Sequence, residues 1–171
     1  MNNIVGIDPG LSGAIALFDG KDLYAFDMPV LSYSVSGGKT RKEINIGKLA
    51  NIITQAGSPR NAYMEAINGR SSQGGFTEFR FGESYGMAKA ALVLTGTPYE
   101  LISPQKWKNY FGLKKTKGMT TPEFKTLSRE LAMKMFPTRA KRFERKKDDG
   151  RAEAALIALY GLENSGLNLK P

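Results

Sequence analysis

The 171-residue chain contains no cysteine and no histidine. The first absence excludes disulfides, thiolate zinc sites and cysteine nucleophiles. The second is more restrictive, because it removes serine–histidine catalysis and every imidazole metal ligand. Acid–base chemistry is left to carboxylates, lysines, tyrosines or metal-bound water. Long apolar runs are missing as well: no stretch approaches the roughly 20 residues of a membrane-spanning helix. The first apolar run begins almost at Met1, which leaves no room for a signal or transit peptide. Together these features read as a cytoplasmic protein, or one of an equivalent reducing compartment.

Acids are scarce, with 16 Asp and Glu against 25 Lys and Arg, a formal net charge of +9. The excess is concentrated. Between Pro104 and Arg151 stand fifteen lysines and arginines against five acids, so the rest of the chain is near neutral. Such a block suits a polyanionic partner, since neutralising phosphates releases condensed counterions. A merely basic, solvated surface is the plain alternative. An anionic membrane fits less well, because no basic amphipathic helix with a Trp/Phe/Leu face is visible.

What is present suits one globular domain over residues 1–171, with a hydrophobic fraction of 41% and an aromatic fraction of 10%. "NIVGID" ending at "PG" reads as a buried strand entering a turn, and "GAIALFD" and "DLYAFDM" follow across short turns as an antiparallel meander. The polar, Gly/Ser-rich stretch from Ser32 to Glu43 reads as a mobile loop. Ile44 to Gly57 has helical spacing and a glycine stop, and "AYMEAI" (Ala62 to Ile67) is a fourth strand. A long helix from Thr77 to Gly96 and a fifth strand, "PYELIS", come next. The remainder is helical: one start has Ser103 as N-cap with Pro104 behind it, a second begins Thr121-Pro122, and the last contains "DDGRAEAALIALYG". The fold class is therefore mixed α/β, a mixed sheet with helices on its faces.

Several acids sit in awkward places. Asp8 ends the first strand, on the face of Ile4 and Gly6, before a sharp turn in which Gly10 takes positive φ. It is either a turn-former or a ligand. Glu65 interrupts an apolar strand, where a carboxylate must meet a cation; Arg70 in the next loop, a lysine or a metal ion would each serve. Asp149 and Glu153, four apart on one helix face, repel one another unless they share a cation. The helix dipole accounts for Asp148 and Asp149 but not for Glu153, which apolar neighbours surround. Convergence of these acids at a sheet edge would make an all-oxygen site suited to Mg²⁺ or Mn²⁺. Two such ions about 4 Å apart activate water and stabilise the leaving oxygen in phosphodiester hydrolysis.

Taken in order, "GIDPGLSGAIALFD", "YMEA" and "KKDDGRAEAALIALYG" resemble the three acidic motifs of the RuvC-type Holliday-junction resolvases of the RNase H-like superfamily. The similarity is to the branch holding the plastid resolvase and its bacteriophage relatives, and it runs from Asn3 to Gly161. It implies an RNase H-like fold with a five-stranded mixed sheet flanked by helices, and a homodimer in a bacterial or phage-infected cytoplasm. Each subunit would cut one of two opposing strands of branched DNA, a four-way junction, leaving a 5′-phosphate. The implied metal-binding and catalytic acids are Asp8, Glu65, Asp149 and Glu153, which would hold two Mg²⁺ or Mn²⁺ ions per active site, with no small-molecule cofactor. In that branch a histidine stands where this chain has Asp149, so Asp148 remains an alternative there.

By the same resemblance the loop after Glu65 meets DNA at the crossover, with Phe76 as the first choice for a wedging aromatic and Phe79 as the second; both also suit core anchors. Gly74 and Gly75 would let backbone approach DNA, and Arg70 and Arg80 would contact phosphate. Lys106, Lys108, Lys114, Lys115 and Lys117 form the expected phosphate track, and Lys146 and Lys147 flank the acids. Trp107 reads as a packing residue. Gly82 and Gly86 on the long helix mark the expected dimer contact. Rival functions keep the fold but act on RNA or other branched DNA, or bind junctions without cutting. A phosphotransferase with a similar "GIDPGLSG" loop needs a second half that 171 residues do not contain.

Overall fold

The computed structural model describes residues 3–55, 57, 59–67 and 75–165, with Phe76 described only in its backbone. Strands β1 (Ile4–Asp8), β2 (Ala14–Phe18) and β3 (Leu23–Asp27) form the expected antiparallel meander. Its turns have identifiable causes. Gly10 adopts φ 131° and its carbonyl accepts from the Gly13 amide at 3.1 Å. Asp19 Oδ1 accepts from the amides of Lys21 and Asp22 at 2.8 and 2.7 Å, closing the next turn. Strand β6 (Asn61–Glu65) then pairs parallel with β1, and β7 (Tyr99–Ile102) parallel with β6. The sheet order is β3-β2-β1-β6-β7. β1 is thus central, covered on both faces, and accordingly apolar until its last residue.

Helices α1 (Ile46–Gln55) and α2 (Gly75–Leu94) cover one face, over Val5, Ile7, Ile15 and Met64. The opposite face carries α3 (Pro104–Tyr110), α4 (Thr121–Met135) and α5 (Asp149–Asn164). α5 is nearly all buried and lies directly on β1. Gly6 makes this possible: a methyl group there would overlap the Ala154 carbonyl and the Ala158 amide. Gly161 is constrained in the same way by the Tyr63 ring, and Gly150 by the Ser12–Gly13 backbone. The space that the sequence leaves above Gly6 is therefore filled by helix backbone. Arg151 fixes the start of α5 through two 2.6 Å hydrogen bonds to Asp27 at the end of β3.

Two local expectations are corrected. Ser32 to Glu43 is not a loop but most of a hairpin, β4 (Val30–Val35) paired antiparallel with β5 (Lys39–Ile44). Its polar residues hid it, because neither strand buries a full apolar face. The turn signal was present, since Gly37 and Gly38 both take positive φ. The cap of α4 is Thr120, one residue earlier than the Thr-Pro start suggests, and it forms a capping box with Glu123. Ser103 caps α3 as expected, accepting from the Lys106 amide at 3.3 Å. No described helix is long and apolar enough to cross a membrane.

Candidate metal centre

β1 and β6 are parallel neighbours, so their last residues, Asp8 and Glu65, emerge at the same sheet edge. Alternation puts both on the α5 face, and the contact at Gly6 draws α5 close enough for Glu153, one turn into the helix, to join them. Oxygen atoms of Asp8, Glu65 and Glu153 all lie within 4.8 Å of one another. Ligand sites in open α/β sheets form at such carboxyl edges. The electrostatics agree with a cluster that wants a cation. Burial, then the charges of Glu153 and Glu65, push the Asp8 carboxyl well above its ordinary range. Burial also raises Glu153; Lys108 opposes the rise and Glu65 adds to it. Three largely shielded acid ligands without sulfur or imidazole fit a hard divalent ion.

Glu65 is held by residues other than Arg70, which lies outside the described residues. Trp107 Nε1 donates to Glu65 Oε2 at 2.8 Å, and Lys108 Nζ stands 4.0 Å from the same oxygen. Trp107 is thus more than a packing residue: it is fully buried and it orients a carboxylate. No spacing rule links Trp107 to Glu65, since they come from α3 and β6. Lys108 also reaches Glu153 Oε1 at 3.7 Å and lies over the Trp107 ring, 4.8 Å from its centroid. It therefore stands at the acids, at the inner end of the expected basic track.

Asp149 does not join the group of three. Its Oδ1 lies 3.0 Å from Arg129 Nε and its Oδ2 3.5 Å from Lys125 Nζ. Arg129, itself buried, is steadied by bonds to Thr126 Oγ1 at 2.8 Å and the Glu144 carbonyl at 3.3 Å. Asp148 is buried and bound by Arg145, whose Nη2 donates at 2.9 Å, with Arg151 at 3.7 Å. Burial pushes the Asp148 carboxyl up, but the Arg145 hydrogen bonds outweigh it and hold the group below its ordinary value. That pairing occupies Asp148 as the anchor of the turn into α5.

Beside Glu153 opens a groove of ≈ 730 Å³ between α3 and α4, lined by Lys108, Lys114, Lys115, Lys125 and Phe124 among others. Lys106, Lys117, Lys146 and Lys147 are exposed but do not line it. On α2, Phe79 is 64% exposed, Arg80 donates to the Lys42 carbonyl at 2.7 Å, and Gly75 begins the helix. The side chain of Phe76 and all of Gly74 fall outside the described residues. Phe81, which the sequence did not single out, is a half-exposed ring whose Cε2 lies 3.6 Å from where a Gly10 Cβ would be. It borders the acid turn. Gly82 and Gly86 are exposed with open space over their α-carbons.

No protein-family model matches the sequence, and no curated protein matches it. Solved structures do. Thermus thermophilus RuvC bound to a Holliday-junction substrate aligns over 97% of each chain at TM-score 0.57 and 15% identity. The fold is RuvC-like. A second Thermus thermophilus RuvC structure aligns over 94% of this chain and 96% of that one, at TM-score 0.51 and 17% identity. Identity this low shows the fold, and the chemistry has to be argued from the residues themselves.

Proposed function

We propose that this protein is a divalent-metal-dependent endodeoxyribonuclease that resolves four-way DNA junctions. The observation that carries the reading is the meeting of Asp8, Glu65 and Glu153 within 4.8 Å beside a lysine-lined groove. A RuvC-like fold adds to it, because one of the similar structures holds a Holliday-junction substrate. Asp8, Glu65 and Glu153, joined by Asp149 once released from Arg129, would hold Mg²⁺ or Mn²⁺, which would supply Lewis-acid activation of water and charge neutralisation at the scissile phosphate. The protein's own groups do the rest. Trp107 keeps Glu65 aimed inward, and Lys108 and Lys125 draw the phosphate toward Glu153. Lys114 and Lys115 track the strand along the groove. Water attacks phosphorus, the bond to the 3′ oxygen breaks, and a 5′-phosphate and 3′-hydroxyl are left. Symmetric cutting requires two subunits, and the exposed α2 surface around Gly82 and Gly86 is the contact we assign to a homodimer.

The test is cleavage of a synthetic four-way junction with both cut positions mapped, run beside duplex, flap and RNA–DNA hybrid. Paired, Mg²⁺- or Mn²⁺-dependent nicks on opposing strands of the junction alone are expected. Preference for the hybrid or the flap would move the substrate while keeping the chemistry. Junction binding without cutting at any metal concentration would overturn the nuclease reading.

A further inference from the structure

The β4–β5 hairpin has two unlike faces. Cross-strand partners share a face, so the pairs Ser32↔Lys42 and Ser34↔Thr40 place four side chains together. All four are exposed, and all carry a hydroxyl or an ammonium; no carboxylate is among them. The other face holds Leu31, Tyr33 and Val35 with Lys39, Arg41 and Glu43. Its only acid is engaged, since the Tyr33 hydroxyl donates to Glu43 Oε2 at 2.9 Å. Lys42 makes no ion pair among the described residues.

The hairpin is also held in place. Arg41 Nη2 bonds Glu83 Oε1 at 2.6 Å, and Arg80 Nη2 donates to the Lys42 carbonyl at 2.7 Å. Both contacts are to the first turns of α2, the helix whose Phe81 borders the Asp8–Gly10 turn. A two-stranded ribbon is marginal by itself. Here one arginine ion pair and one arginine–carbonyl hydrogen bond fix it to α2, with its hydroxyl-and-ammonium face turned to solvent.

We propose that the face formed by Ser32, Ser34, Thr40 and Lys42 binds the phosphodiester backbone of one arm of the DNA substrate, away from the cut. Hydroxyls and ammonium groups are the donors that phosphate oxygens accept, and such contacts position a duplex without reading its sequence. A second copy of the chain is a poorer occupant, because this face lacks the apolar centre of a stable subunit interface. The proposal rests on the branched-DNA reading above.

The experiment compares Thr40→Glu/Lys42→Glu with wild type in junction binding across a salt series. A triple Ser32→Ala/Ser34→Ala/Lys42→Ala variant repeats the test without introducing charge, and Lys134→Glu, exposed on α4, controls for net charge. Expected is at least a roughly tenfold loss of junction affinity in the glutamate variant, with the salt slope shallower by about 1 per lost phosphate. The alanine variant should show a smaller loss in the same direction, and Lys134→Glu none. Wild-type affinity in both hairpin variants overturns the proposal and leaves the nuclease reading intact. A loss explained by dissociation of dimers in sedimentation makes the face a subunit interface and also overturns it. Failure of the wild type to bind any branched DNA would remove both readings together.

Discussion

On one face of the central sheet, Val5, Ile7, Ile15 and Met64 meet α1 and α2 through long and branched side chains; on the other, Gly6 meets the backbone of α5 with nothing between. The first face is an ordinary core, tolerant of small changes in shape because side chains can repack. The second is a fixed spacing. It places Glu153 over the ends of β1 and β6, so its geometry is part of the acid site. Packing by bulk stabilises, and packing by absence positions.

The largest expected effect is therefore at Gly6. Gly6→Ala forces backbone apart and should lower stability by more than about 3 kcal/mol, above the common overpacking cost. For a chain this size that is roughly 10 °C in melting temperature, with loss of metal binding measured by Mn²⁺ titration. A near-wild-type melting curve would contradict the seam described above.

Asp8→Asn comes second. It should abolish junction cleavage while affinity stays within a few-fold, read by gel shift beside the cutting assay. The variant should also be more stable than wild type when metal-free. Asp8 and Glu153 are raised from ordinary values of 3.8 and 4.5, so their contribution is whole below those values and is lost as pH rises through the elevated ones. Melting temperatures in chelator should thus diverge with rising pH, wild type falling more steeply than Asp8→Asn, which keeps only the Glu153 share, and Mn²⁺ should rescue only the wild type. Parallel curves from pH 4 to 9 would count against the buried cluster.

Third is Trp107→Phe, which keeps an aromatic in the core but deletes the N–H to Glu65. Loss of such a ligand-orienting partner typically weakens metal binding about 10–100-fold; the lower end is expected, measured calorimetrically, with little change in melting temperature. The smallest effect belongs to the bulky face: Ile7→Val should cost about 0.5–1.5 kcal/mol and leave Mn²⁺ affinity untouched. A change in affinity there would mean that the two faces are not separable.

Much of this was legible in the chain. Apolar runs ending at glycine or Asp-Gly gave the strands, and Asp8, Glu65 and Glu153 stood out because each is a carboxylate where burial is costly. Three things could not be read. The hairpin has no apolar period, because beyond the Val30–Ile44 pair at its base one of its faces carries only Ser32, Ser34, Thr40 and Lys42. Trp107 and Lys108 act on Glu65 through tertiary contact across 42 and 43 positions, where no local spacing applies. Asp149 has the helical offset of a partner for Glu153, yet Arg129 and Lys125 from α4 draw its carboxylate aside. Periodicity shows which residues share a face, not which neighbour reaches them first.

The three converging acids lie at positions 8, 65 and 153, and the helix bearing the last of them is also the one that completes the core. During synthesis, then, no partial chain holds the full set of ligands. On the proposed nuclease reading, metal binding and cutting would arise only once α5 has been made and has seated on β1.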